Sequence, residues 1–267
     1  MLGKLMKYEL KATARTLIPL YIALLAFAII NKIFIGTGLA DKLEGFGSIP
    51  FILSIFGYGC TMAAVFIVTF FVIIQRFYKN LLGDEGYLMN TLPVTTITNI
   101  TSKISIATFW NIVSGFVAIL SIIIMAFNPD AFSNFFRELF SGLSDGYAEL
   151  GIELYIIIIE IIIIILMYLI KSLTMIYASI SIGHLFSKHR ILSSFGAFII
   201  LNLITAAISS TIGITFSNSN LASMFDNINS SLPGHLFLIS LILYNLVFFM
   251  VYFIITNYIL KNKLNLE

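Results

Sequence analysis

Glu160 stands in the run YIIIIEIIIIIL, surrounded by nine isoleucines. An ionisable side chain in such a run is costly to hold away from water, and at membrane depth it faces a bundle interior or a water-filled path. Counted along an α-helix, Glu153, Glu160, Lys171 and Thr174 share one face of a segment whose other sides are apolar. Two readings fit this stripe. It is a substrate-facing or subunit-facing polar surface, or else a protonated Glu160 hydrogen-bonds to a neighbouring helix while Lys171 snorkels to the headgroups. Proton coupling through Glu160 is a third use of the same carboxyl. His184 and His189 lie five apart in SIGHLFSKHR, but no third ligand is near and H-E-x-x-H is absent, so no metal site is expected. Both read as solvated loop histidines, as does His235 after Pro233-Gly234. The absence of G-x-x-x-x-G-K-[ST] leaves no P-loop for ATP. No catalytic site is expected on this chain.

The elements that position these residues follow from composition. The chain has 267 residues, 59% apolar and 10% charged, where soluble proteins carry about 25% charged residues. Mean hydropathy is +1.02. A helix needs roughly 20 apolar residues to cross the hydrocarbon core, and six segments qualify, at about 17–35, 49–74, 104–127, 152–180, 191–213 and 236–260. Several are rich in β-branched and aromatic residues, a strand signal in water. In lipid each segment must satisfy its own backbone, so all six are expected to be helical. The fold class is therefore an all-α membrane protein with a transmembrane domain over 17–260. No stretch is polar and long enough for a separate soluble domain, and no nucleic-acid partner is expected. The first span is not read as a signal peptide, because its 16-residue polar leader contains Glu9 and no convincing cleavage site follows. The single cysteine, Cys60, cannot close an internal disulfide, which leaves the redox compartment open, and it reads as a small buried apolar residue.

Six spans put both ends on one side. Twelve basic residues (Lys4, Lys7, Lys11, Arg15, Arg76, Lys79, Lys103, Lys171, Lys188, Arg190, Lys261 and Lys263) fall on the side of the termini, and only Lys32, Lys42 and Arg137 fall on the other. By the positive-inside rule both termini, the 75–103 and 181–190 connections and a short tail at 261–267 are cytoplasmic. Residues 1–16, MLGKLMKYELKATART, place Leu2, Leu5, Met6 and Leu10 on one helical face and Lys4, Lys7, Lys11 and Arg15 on another. That pattern predicts an amphipathic interfacial helix, its basic face toward anionic headgroups, and it also serves as a topogenic leader. On the outer side, AFSNFFRELF predicts a short surface helix, and Leu232-Pro233-Gly234 marks a break that suits a re-entrant turn before the last span.

The longest cytoplasmic connection contains GDEGYLMNTLP, residues 83–93. Gly83 allows a sharp entry, Asp84 and Glu85 suit a first helical turn, and Pro93 with Leu92 before it blocks continuation. Thr95 or Thr96 can cap the next helix. The segment reads as a short surface helix that exposes Tyr87, Leu88 and Met89. This cluster is either a docking knob or apolar cover lying on lipid or on the protein's own surface.

An amphipathic N-terminal helix, six spans and the segment YKNLLGDEGYLMNTLPVTTITNITSKI between spans two and three together resemble the permease subunit of a bacterial type-2 ABC exporter. The resemblance covers the whole topology and is sharp over about 25 residues. It implies that 83–93 is the coupling helix, with Asp84, Glu85, Gly86, Tyr87, Leu88 and Met89 contacting a separate cytoplasmic ATPase and Pro93 fixing the turn back. It also implies ATP and Mg on that partner rather than here, a second permease copy or paralogue, location in a bacterial cell membrane, and export of an amphiphilic peptide, lipid-like molecule or drug. A secondary transporter or channel and a non-transporting sensor or assembly subunit are the alternatives; the chain shows no internal repeat and only Glu160 for ion coupling. A membrane enzyme such as an intramembrane protease would need paired acids and histidines at membrane depth, where Glu160 is alone.

Overall fold

The computed structural model describes residues 2–36, 49–83, 86, 94–186, 188–218 and 232–263. They form seven helices: α1 (Leu2–Gly36), α2 (Ile49–Leu81), α3 (Thr96–Ala126), α4 (Pro129–Leu150), α5 (Glu153–His184), α6 (Arg190–Asn218) and α7 (Leu232–Asn262). All except α4 are long and apolar enough to cross a membrane, and no strand occurs among the described residues. The six spans lie where the apolar runs place them, and the architecture is that of a multi-pass membrane protein. The helices outrun the apolar segments. At 1.5 Å per residue the 33 residues of α2 reach about 50 Å, against a hydrocarbon core of about 30 Å.

Local chemistry explains where helices begin and end. The backbone N–H groups of Leu82 and Gly83 both donate to the Tyr78 carbonyl, at 2.9 and 2.8 Å, which closes α2. Thr95 caps α3: its Oγ1 accepts from the Thr98 N–H at 3.3 Å, and its carbonyl accepts from Asn99 at 3.1 Å. Asn128 Oδ1 accepts from the Asp130 N–H at the start of α4. That helix stops at Gly151, whose φ of 61° suits a residue without a Cβ and whose N–H reaches back to the Tyr147 carbonyl.

The chain divides into two compact units, Met1–Arg76 with Thr101–Gly142, and Phe77–Ile100 with Leu143–Glu267. In the first, Leu17, Leu24, Ala28, Val65, Ile106 and Trp110 form a buried cluster. Polar links cross it: Tyr21 Oη to Ser114 Oγ at 2.8 Å, Thr69 Oγ1 to Ser114 Oγ at 2.9 Å, and Tyr58 Oη to Ser121 Oγ at 3.0 Å. Asn31 Nδ2, fully buried, donates from α1 to the Ser54 carbonyl on α2. These pairings rise together between α1 and α3 and run oppositely between α2 and each of them, so consecutive helices alternate in direction. In the second unit α5 packs against α6 and α7. Met175, Ala178 and Tyr252 are buried together, with Phe198 and Leu201 against them. Here α5 and α7 run in the same direction and α6 opposes both. Each unit thus has the alternation that repeated membrane crossing requires.

Several expectations change. Helix α1 continues through Pro19, so no break separates residues 2–16 from the first span. The basic face of that stretch is exposed at Lys4, Lys7, Lys11 and Arg15, while Glu9 and Thr13 are buried. The surface helix expected around AFSNFFRELF is 22 residues long rather than short, with Phe132, Phe135, Phe136 and Phe140 exposed, the pattern of a helix lying in an interface. Leu232, Pro233 and Gly234 belong to the first turn of α7 instead of a break; a proline is tolerated there because the N–H it lacks has no intrahelical partner anyway. Cys60 is exposed on α2, not buried.

Helices α5 and α6 come into close contact at Gly183, where a Cβ would overlap the backbone N and Cα of Ser194. Gly183→Ala should therefore push the two helix ends apart and cost about 1–3 kcal/mol. Thermal unfolding of the detergent-purified protein should show a lower Tm, whereas Gly196→Ala, which meets open space, should leave it nearly unchanged.

Candidate functional site

The members of the polar stripe of α5 are buried or half-buried, and Glu160, Lys171 and Thr174 are each satisfied in a different way. Glu160 Oε2 lies 2.8 Å from His235 Nδ1 on α7, with the two side chains 12% and 18% exposed. A carboxyl in an isoleucine-rich wall is held by a partner one helix away. His235 is therefore no solvated loop residue, because it sits in the first turn of α7 and faces Glu160. Glu153 is half-buried in the first turn of α5, where a carboxylate complements the free N–H groups. Thr174 is fully buried and its Oγ1 donates to the Ile170 carbonyl.

Lys171 departs most from expectation. It does not snorkel outward; it is buried, and its Nζ lies 4.8 Å from the Tyr168 ring centre and 5.3 Å from that of Tyr244 on α7. Two aromatic faces take the place of part of its hydration. The ammonium borders a cleft of about 540 Å³ among α5, α6 and α7, whose polar lining includes Asn202, Thr205, Ser209, Tyr244 and Asn245. Thr205 Oγ1 is hydrogen-bonded to Tyr252 Oη and to its own helix at the Leu201 carbonyl. Tyr244 Oη donates to the Thr205 carbonyl at 3.4 Å. The cleft is thus cross-linked by hydroxyls, and Lys171 is the cation among its described lining residues.

The 83–93 segment falls mostly outside the described residues: Asp84, Glu85, Tyr87, Leu88, Met89 and Pro93 are not among them. Gly86 is, and its N–H donates to the Gly83 carbonyl at 2.8 Å. The flanks of the segment are well defined. Phe77 stacks on Tyr177 of α5 with ring centres 4.0 Å apart and planes 7° from parallel, and both residues are almost fully buried. One residue on, the Tyr78 ring meets the edge of His184 at 6.1 Å. On the α3 flank Ile100 is fully buried. The connection thus starts from a helix end bolted to α5, the helix that carries Glu160 and Lys171. His184 is the last residue of α5 and half-buried against Tyr78, so it too differs from the solvated histidine expected; His189 is exposed.

In the other unit a buried ion pair joins Lys103 Nζ of α3 to Glu9 Oε1 of α1, with side chains 3% and 9% exposed. The sequence placed both residues on the cytoplasmic side without pairing them, because a separation of 94 positions carries no spacing signal. The Lys171 cage and the Glu160–His235 pair escaped notice for the same reason. The only hint lay in isolated ionisable residues beside apolar runs, each of which needs a partner. No group of His, Cys, Asp or Glu among the described residues could hold a metal. No known family, curated protein or solved structure matches this chain.

Removing one half of a buried pair leaves the other charge without compensation and costs about 3–5 kcal/mol. Lys103→Met should therefore lower the Tm of the purified protein sharply, while the double change Glu9→Leu with Lys103→Met should recover much of the loss. Equal Tm values for the single variant and the parent would show that the pair carries no stability.

Proposed function

We propose that this chain is the transmembrane permease subunit of an ATP-driven exporter in a bacterial cell membrane. It is coupled to a separate cytoplasmic ATPase that binds ATP and Mg, and it works as a pair with a second copy or a related permease. The cargo is an amphiphile: a peptide, a lipid-like molecule or a drug. Both termini are cytoplasmic in this reading, and residues 1–16 present their basic face to the inner headgroups. The chain itself is not an enzyme.

The observation that carries the proposal is the Phe77–Tyr177 stack. In this reading Asp84, Glu85, Gly86, Tyr87, Leu88 and Met89 are gripped by the ATPase, with Pro93 fixing the turn back to α3. Movement of that grip is passed to the end of α2 and, through two flat rings in van der Waals contact, to α5. A rigid, buried joint transmits displacement because packed interiors have low compressibility. The clustering of basic residues supports the orientation: Lys188 and Arg190 stand next to the end of α5, and Lys261 ends α7, which runs the same way.

Purification from detergent should bring down an ATP-hydrolysing chain. Changing Tyr87, Leu88 and Met89 together to Ala should abolish ATP-dependent transport in vesicles while membrane insertion and Tm stay at parental values. Phe77→Ala should keep the ATPase bound but lower transport per ATP hydrolysed. An unchanged transport rate in the triple variant would remove the proposed grip.

A further inference from the structure

We infer that the Lys171 cleft is a binding site for the anionic head of an amphiphile, a phosphate or carboxylate group with a neighbouring hydroxyl. As a cargo site this deepens the export reading; as a binding site it stands without it. The argument begins with the ammonium. Lys171 is only 8% exposed, and among the described residues no carboxylate lies within ion-pair distance of it. Glu160, on the same helix face, is eleven residues away, about 16 Å along the axis, and is engaged with His235. The two tyrosine rings stabilise the positive charge but accept no conventional N–H hydrogen bond through their ring faces. A buried charge is ordinarily paired as well as hydrogen-bonded, and an anion entering the cleft completes the arrangement.

A second group points the same way. Asn245 is 5% exposed and lines the cleft. Its Nδ2 donates to the Leu241 carbonyl at 2.8 Å, while its Oδ1 has no hydrogen-bond partner among the described residues. A buried acceptor left in this state is costly and is matched by a hydroxyl donor on the ligand. Ile164 and Ile165 supply an apolar wall to the same cleft. Tyr244 also borders an aliphatic groove of about 680 Å³ between α6 and α7, with Ile208 and Val247 on its sides, which suits a hydrocarbon chain. Depth agrees with a lipid-like ligand. Lys171 lies eighteen residues beyond Glu153, about 27 Å, so with Glu153 at one edge of a hydrocarbon core of about 30 Å the ammonium stands just inside the other edge, within reach of an anionic head drawn down to it.

The test uses the full-length protein, purified in neutral detergent without nucleotide or ATPase, and native mass spectrometry to count retained molecules. The probes are phosphatidylglycerol against phosphatidylcholine of the same chains, and 2-hydroxyoleate against its methyl ester. We expect the anionic member of at least one pair to be retained roughly tenfold over its neutral counterpart, the ratio that a charge-assisted contact of about 1.4 kcal/mol gives. Lys171→Met should bring the ratio close to one and Lys171→Arg should keep it. Selective retention of phosphatidylglycerol alone identifies a membrane lipid as the source, and of 2-hydroxyoleate alone a free single-chain amphiphile. Equal retention in both pairs by the parent protein overturns the site, even if Lys171→Met fails to fold. So does an unchanged ratio in a folded Lys171→Met. Because no transport is measured, failure of the export reading would leave this result standing, and the reverse holds as well.

Discussion

A charge withdrawn from water must meet a partner, and this constraint arranges the polar interior of both units. Solvation of an isolated ion in hydrocarbon is so poor that a chain either omits the charge or surrounds it. Here only 10% of residues are charged, and the charges kept beside apolar runs are each answered in a different way. Glu9 meets Lys103 as an ion pair, Glu160 meets a histidine, and Lys171 meets two aromatic faces. Each solution ties together two helices far apart in sequence. The expense of a buried charge is thereby turned into specificity of packing, since a helix that rotated or slid would leave it bare.

Hydroxyls do the finer work. In hydrocarbon there is little hydrophobic force between helices, so close packing and hydrogen bonds decide which faces meet. Thr69 and Ser114 show the economy of the arrangement. Thr69 Oγ1 engages both the Val65 carbonyl of its own helix and Ser114 Oγ on the next, and Ser114 also meets Tyr21. Three helices are joined through a handful of oxygen atoms, none leaving a donor facing lipid. Thr205 plays a similar part between α6 and Tyr252 of α7. Gly183 contributes the opposite device, the absence of a side chain, so that α5 and α6 can touch through backbone atoms.

The spans were legible because hydrophobic length is a property of a continuous stretch, and all six appear as helices. The cap at Thr95 was legible for a similar reason, since its partner is three residues away. The inward orientation of the α5 stripe was half legible. Spacing put Glu153, Glu160, Lys171 and Thr174 on one face, but not which helix lay opposite. His235 and His184 differ from expectation because a residue near a predicted boundary takes its environment from partners that local sequence does not name, and Cys60, in mid-span, because hydrophobic length does not say which face of a helix meets its neighbours. His235 sits by Glu160 because α7 begins at Leu232, four residues before the start expected at 236. The continuity of α1 through Pro19 was not legible because a proline removes one helical hydrogen bond and can kink a long helix without ending it.

The paired rings of Phe77 and Tyr177 also fix a fulcrum. Lys171 lies six residues from Tyr177 and Glu160 seventeen, about 9 and 25 Å along α5. If the helix swings as a rod about that point, an inclination of about 5° displaces the ammonium by about 0.8 Å but the distant carboxyl by about 2 Å. The first shift is within the slack of an aromatic cradle. The second is enough to part a 2.8 Å contact. The same small rotation would therefore leave one end of the stripe intact while opening the other, so that the far end of α5 serves as the sensitive arm of the balance.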